Sequence, residues 1–173
     1  MRYYEGCTAL ITGASSGLGA EFARQLAGYA KSLVLVARRL ERLDALKAEL
    51  ESRHGNLTVH VYGADIGKED QRVALVKWLP SQNVKVDFLI NNAGLGDHGA
   101  FESADWNKAR SMIDVNISAL THFIHLLLPS MTLAGRAAIL NVSSIAGYFP
   151  LPNTAVYSAS KAYVTSSLGG AGH

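Results

Sequence analysis

Cysteine is almost absent from this chain, with one residue, Cys7, in 173. An internal disulfide is excluded, which fits a reducing compartment. Net charge is also scarce: the formal value is +2, and the basic residues are dispersed apart from the pair Arg38-Arg39. That excludes the basic stripe of a nucleic-acid binder. A charged-then-apolar leader is missing, because "MRYYEGCTALITG" runs almost at once into a strand-like segment. The longest apolar runs, "LVLVA" and "FIHLLLP", fall short of the roughly 20 residues that span a bilayer. The expectation is a cytoplasmic protein with no membrane partner. Repeats, linkers and low-complexity segments are lacking too, so residues 1–173 read as a single domain. Hydrophobic residues make up 49% and charged residues 17%, a composition that buries a core and argues against disorder.

Five short, β-branched segments read as buried strands: residues 8–12, 32–37, 57–63, 86–91 and 137–143. Their near-continuous apolar character suits parallel strands covered on both faces. Helical patterns alternate with them over 20–30, 40–54, 69–79, about 105–131 and about 154–168. Strict β-α alternation predicts an α/β, Rossmann-type doubly wound parallel sheet of three layers, with strand order 3-2-1-4-5.

The first strand ends in "TGASSGLG", Thr12 to Gly19. Glycines between a strand and a helix allow a tight turn and leave helix-start N–H groups facing an anion. Gly13, Ser15, Ser16, Gly17, Leu18 and Gly19 are therefore candidate phosphate contacts. The spacing is G-x-x-x-G-x-G, not the G-x-G-x-x-G fingerprint, and glycines serving turn geometry alone would look the same. The second strand runs out into Ala37-Arg38-Arg39, with no carboxylate before Glu41. An acidic residue there bonds a ribose 2′-hydroxyl, whereas an arginine suits a 2′-phosphate. Arg38 and Arg39 thus favour NADP(H) over NAD(H), although a charged pair opening a solvated helix is the plainer alternative.

"VYSASKAY" brings a tyrosine and a lysine four residues apart, Tyr157 and Lys161, onto one helical face. A phenol with a pKa of about 10 is a poor base at neutral pH, and a nearby ammonium favours its ionised form. Alone, that spacing carries little information. In company it carries more: "TGASSGLG", "NNAG" (91–94), Asn116, "NVSS" (141–144) and "YSASK" (157–161) occur in order, each beside the expected element. Together they resemble the short-chain dehydrogenase/reductase family, from about Thr8 to Thr165.

That resemblance implies an NADP-dependent oxidoreductase acting on an alcohol or carbonyl carbon. Tyr157 would be the acid/base, Lys161 would bind the nicotinamide ribose and lower the phenol's pKa, and Ser144 would hold the substrate oxygen. Asn116 would support a water in the proton relay. Asn92, Ala93 and Gly94 would line the cofactor, with Asp65 and Ile66 against its adenine. A small carbonyl or alcohol substrate, no metal, and a homodimer or homotetramer through helices 105–131 and 154–168 are further implications.

Other features have plainer readings. His122 and His125 lie three apart and could share a metal, but read as polar positions or packing edges. Cys7 reads as a small core residue. Phe149, Leu151 and Pro152 give a partly apolar substrate wall. Members of the family continue beyond the Tyr/Lys helix, with further strands and a lid. Here Gly169, Gly170 and Gly172 follow, each weakening a helix by about 1 kcal/mol relative to Ala. A C-terminally shortened chain is expected, with the substrate lobe absent and the fifth strand an open edge. A dinucleotide-binding module without turnover and a non-functional fragment remain alternatives.

Overall fold

A computed structural model of the protein describes residues 4–149 and 151–167. Five parallel strands form one sheet: β1 (Thr8–Thr12), β2 (Ser32–Ala37), β3 (Thr58–Gly63), β4 (Phe88–Asn91) and β5 (Ala138–Asn141). Their order is β3-β2-β1-β4-β5, as the alternation predicts. The central strand carries the pattern that demands this position. Ala9, Leu10 and Ile11 are fully buried because their side chains alternate between two helical layers. Ile11 joins the core on one side with Leu33, Leu35 and Leu43. Leu10 joins the other with Val34, Leu89 and Phe123. Each large aliphatic buried in this way contributes about 1.5–3 kcal/mol.

The helices are α1 (Gly17–Leu26), α2 (Leu40–Arg53), α3 (Glu69–Ser81), α4 (Trp106–Ile113), α5 (Leu120–Leu133) and α6 (Ala155–Ser167). Helix α1 starts three residues earlier than the pattern predicts and stops at Leu26. Its end is set by the Leu26 carbonyl, which accepts from the amides of both Tyr29 and Ala30 and closes a turn. The expected helical end at Leu168, with Gly169, Gly170 and Gly172, lies outside the described residues.

The long helix expected over 105–131 is not regular. Between α4 and α5 lies a π-turn, Asp114–Ala119, which inserts extra backbone without ending the helix. Asp105 caps the start, its side chain accepting from the Asn107 amide. The continuous stretch Trp106–Leu133 is, by length and composition, apolar enough to cross a membrane. This corrects the expectation that no segment approaches such a span. Here the same apolar residues have a core role: Phe123, Leu127 and Met131 are buried with Leu89.

Cys7 is buried in the core, as expected, and burial first, then the Asp87 carboxylate, pushes its thiol up to about 11. The Asp87 side chain accepts from the Thr8 amide at 2.9 Å and ties the starts of β1 and β4 together. Strand β5 is the sheet edge beyond β4, and Leu140 on it is exposed.

Candidate active site

The carboxyl ends of the parallel strands meet in a cleft of about 260 Å³ lined by Gly13, Ser15, Ser16, Arg38, Arg39, Asp65, Ile66, Asn92, Ala93 and Gly94. Ten of the sequence-predicted cofactor contacts thus share one surface, where helix starts point N–H groups outward. Gly17, Leu18 and Gly19 do not line it. Leu18 is 61% exposed and faces away from the packed interior.

The glycine turn is held by close packing. Gly13 has φ +68°, and a Cβ there would lie 2.8 Å from Ala93 Cα. A Cβ at Gly19 would strike the Gly13 carbonyl. Gly17, at φ +57°, has nothing within 4 Å of the same position, so its backbone conformation, not crowding, is what favours glycine there. Asn92 fastens the turn to β4: its Nδ2 donates to the carbonyls of Thr12 (2.9 Å) and Gly13 (3.3 Å). Thr12 Oγ1 accepts from the amides of Asn92 and Ala93, both at 3.1 Å. Asn92 therefore shapes the cleft while its amide nitrogen is spent on the turn. Thr12 escaped the sequence reading, although a polar residue ending a buried strand was the available signal.

At the other side of the cleft, an Arg39 Nη2 donates to Ser15 Oγ (3.2 Å) and Ser16 Oγ (3.3 Å). Arg38 makes no ion pair among the described residues. A guanidinium beside two hydroxyls and helix-start amides suits a phosphate. Glycines where a Cβ would collide, the hydroxyls of Ser15 and Ser16 and two arginines at the end of β2 fit a dinucleotide phosphate.

The candidates Asn116, Ser144, Tyr157 and Lys161 do not line this cleft; α6 and the π-turn adjoin it at Gly94 and Leu95. Lys161 is only 6% exposed, and burial lowers its pKa. Its Nζ donates to the Val142 carbonyl at 2.8 Å. A Cβ at Gly94 would lie 3.3 Å from that nitrogen and 3.5 Å from Asn116 Oδ1, so both polar atoms converge behind this cleft-lining glycine. Asn116 sits inside the π-turn and pairs with the Leu95 backbone twice, accepting from its amide and donating to its carbonyl at 2.8 Å. The widened turn aims this side chain across at the 95–96 segment.

The Tyr157 ring lies on that segment. A Cβ at Gly96 would be 3.5 Å from its Cδ2 and Cε2 atoms. Tyr157 also lines a second cavity of about 230 Å³ with Asp97, His98, Lys108 and Asn153. Ser144 begins the 3-10 turn Ile145–Gly147, its Oγ accepting from the Ala146 amide at 3.2 Å, which leaves its proton available to donate. Ser160 is a further residue that the sequence reading missed. It is buried, donates to the Tyr157 carbonyl at 2.7 Å and accepts from Asn116 Nδ2 at 2.9 Å. A serine on the inward face of a helix, within "YSASK", was its signal.

The loop before α6 is fitted to the helix backbone. Ser143 Oγ donates to the Lys161 carbonyl (3.0 Å) and pairs with Thr165 Oγ1 (2.6 Å). A Cβ at Gly147 would lie 2.7 Å from the same carbonyl. His122 and His125 stack at 6.5 Å, and His122 Nδ1 accepts from Arg72 Nε at 3.0 Å. Among the described residues no three His, Cys, Asp or Glu side chains cluster as metal ligands.

A family model described as short chain dehydrogenase matches residues 7–169. A sulfoacetaldehyde reductase of Chromohalobacter salexigens is 43% identical over 159 residues, covering 89% of this chain and 60% of that protein. A second sulfoacetaldehyde reductase of the same organism is 40% identical, with 90% and 61% covered. Among solved structures, a short-chain dehydrogenase from Sphingobium yanoikuyae in complex with NADPH superposes with a TM-score of 0.87 at 36% identity, over 95% of this chain and 64% of that one. The L-sorbose reductase of Gluconobacter frateurii, complexed with NADPH and L-sorbose, gives 0.88 at 30% identity, over 94% and 62%. The chain spans about 60% of the length of the curated relatives it matches. Motifs, sheet order and match together carry one conclusion: this chain belongs to the short-chain dehydrogenase family of oxidoreductases.

Proposed function

We propose that this chain moves a hydride between NADP(H) and the carbonyl or secondary-alcohol carbon of a small substrate, with Tyr157 as the acid/base. One observation carries the reading most: Lys161 Nζ and Asn116 Oδ1 meet at Gly94, one turn along α6 from a tyrosine whose ring lies against Gly96. Arg38 and Arg39 at the far end of the same cleft support the 2′-phosphorylated dinucleotide, as do relatives solved with NADPH.

When bound, the dinucleotide supplies or accepts the hydride at its nicotinamide ring. The chain's own residues handle the oxygen and its proton. Carbonyl reduction builds negative charge on oxygen, so donors belong there. Ser144 offers its hydroxyl hydrogen, and Tyr157 gives up the phenolic proton. The Lys161 ammonium, one turn away and withdrawn from water, stabilises the phenolate left behind. Its hydrogen bond to the Val142 carbonyl fixes it there. Asn116 holds Leu95, and with it the floor beneath the tyrosine ring. Oxidation of an alcohol runs the same transfers backwards.

Consumption of NADPH is measured against a panel of sulfoacetaldehyde, L-sorbose, small aldehydes and apolar ketones. Oxidation is expected with at least one carbonyl. Tyr157→Phe should lower it by about 10²–10⁴-fold while leaving NADPH binding intact. Undiminished turnover in that variant contradicts the role of the phenol.

A binding module that holds dinucleotide without turnover is favoured by a separate observation. The wall beyond Ser144 is open, with Ile145 78% and Phe149 69% exposed. NADPH binding without oxidation of any panel member would select it. The exposed face of α5 around Leu128, Pro129 and Leu133 supports self-association as a further part of the proposal. Size exclusion with light scattering reads it directly.

A further inference from the structure

Arg72 on α3 is 4% exposed, yet it forms no ion pair among the described residues. A buried cation without a counter-charge is costly unless its donors are satisfied. Two acceptors do this: the Ile66 carbonyl takes Nη1 at 2.7 Å, and His122 Nδ1 on α5 takes Nε at 3.0 Å. Ile66 lines the nucleotide cleft beside Asp65. The rest of that segment is tied to the same helix start. The Asp65 amide donates to Gln71 Oε1 at 2.7 Å, the Gly67 amide to Asp65 Oδ1 at 3.1 Å and the Lys68 amide to the Asp65 carbonyl at 3.0 Å. The cleft wall at residues 65–67 is thus held from behind, and its deepest anchor is an arginine that itself rests on a histidine.

We propose that Arg72 is a positioning residue for the nucleotide cleft, and that neutral His122 locks it. This rests on the reading of the cleft as a dinucleotide site. Guanidinium is always protonated and can only donate, so His122 must present a lone pair at Nδ1 and carry its proton on Nε2. Imidazole is the side chain whose charge changes within the physiological range. Protonation of His122 removes the acceptor and sets two cations 3.0 Å apart. The charged and titratable groups around His122 are Arg72 and Glu69 from α3, His125 from α5 and Tyr163 from α6, all bordering one open cavity. Acid therefore releases Arg72, frees the Ile66 carbonyl and loosens the cleft wall. By linkage, nucleotide binding holds His122 neutral.

The test titrates NADP⁺, by calorimetry between pH 8 and pH 5.5, into wild type, His122→Asn and His122→Phe. Asparagine returns an acceptor oxygen near the position of Nδ1 without titrating; phenylalanine returns none. At pH 8, His122→Phe should bind about tenfold more weakly and His122→Asn like wild type. Towards pH 5.5 wild type should lose about tenfold more affinity than His122→Asn, a difference that cancels titration of the ligand's own phosphate. Equal pH slopes in wild type and His122→Asn would overturn the lock, as would undiminished binding by His122→Phe at pH 8. Should His122→Phe fail to fold, the slope comparison alone decides. Hydrogen exchange at the Gly67 and Lys68 amides, corrected for intrinsic rates, gives a readout without nucleotide. Acid should accelerate it in wild type and not in His122→Asn, and equal acceleration overturns the proposal. Failure of wild type to bind NADP⁺ removes the dinucleotide reading and leaves exchange to judge the clamp.

Discussion

The two ends of the cleft are built differently. At the glycine-turn end, long-range polar ties hold the walls: Asn92 stitches Thr12 and Gly13, Arg39 spans to Ser15 and Ser16, and Arg72 donates to the Ile66 carbonyl. At the substrate end, α6 is just as tightly seated, with Gly147 pressed on the Lys161 carbonyl. Yet the wall beyond it turns large apolar side chains outward, Ile145, Tyr148, Phe149 and Leu151 among them. The geometry around the glycine turn is thus set by short β-turn-α segments that pair with one another, whereas the segment beyond Ser144 leaves its apolar side chains exposed. One end is finished by backbone fit, where single atoms matter, while the other presents side chains that meet little of this chain.

Substitutions at the two ends should therefore differ in cost. The largest effect is expected at Gly19→Ala, where the added methyl meets the Gly13 carbonyl. Backbone cannot yield as a flexible side chain can, so urea unfolding should show a loss of about 1–3 kcal/mol. NADPH binding should fall with it. A variant as stable as wild type would show that the turn has room to open. Phe149→Ser should change stability by less than about 0.5 kcal/mol, because an exposed ring buries little to lose. A cost above 1 kcal/mol would mean that the apolar wall beyond Ser144 is covered in solution, by a second copy or otherwise, and would erase the contrast.

Much of this was legible in the sequence, for reasons that differ by element. The inner strands β1 and β2 are nearly continuous buried runs and appear with the predicted limits, whereas β3 and β5 at the sheet edges are only partly buried. The motif residues Gly13, Asn92 and Lys161 fall where a strand or helix brings them because local geometry alone dictates their places. The π-turn at Asp114–Ala119 was not legible, since a 3.6-residue pattern on either side of it hides the inserted backbone. Ser160, Thr12 and Arg72 were missed for a different reason. Each acts through a partner distant in sequence, Asn116, Asn92 and His122 respectively, and spacing along the chain carries no trace of such pairs. The apolar stretch Trp106–Leu133 was underestimated because its charges lie in its first turns.

The central claim is that the cleft between the glycine turn and Arg38-Arg39 holds NADP(H). Fluorescence titration of NADPH and NADH, into wild type and into the Arg38→Ala/Arg39→Ala double variant, tests it most directly. Wild type should give saturable NADPH binding, with NADH weaker, and the double variant should lose about tenfold or more for NADPH and little for NADH. No saturable NADPH signal in folded wild type, or equal losses for both nucleotides, would contradict it.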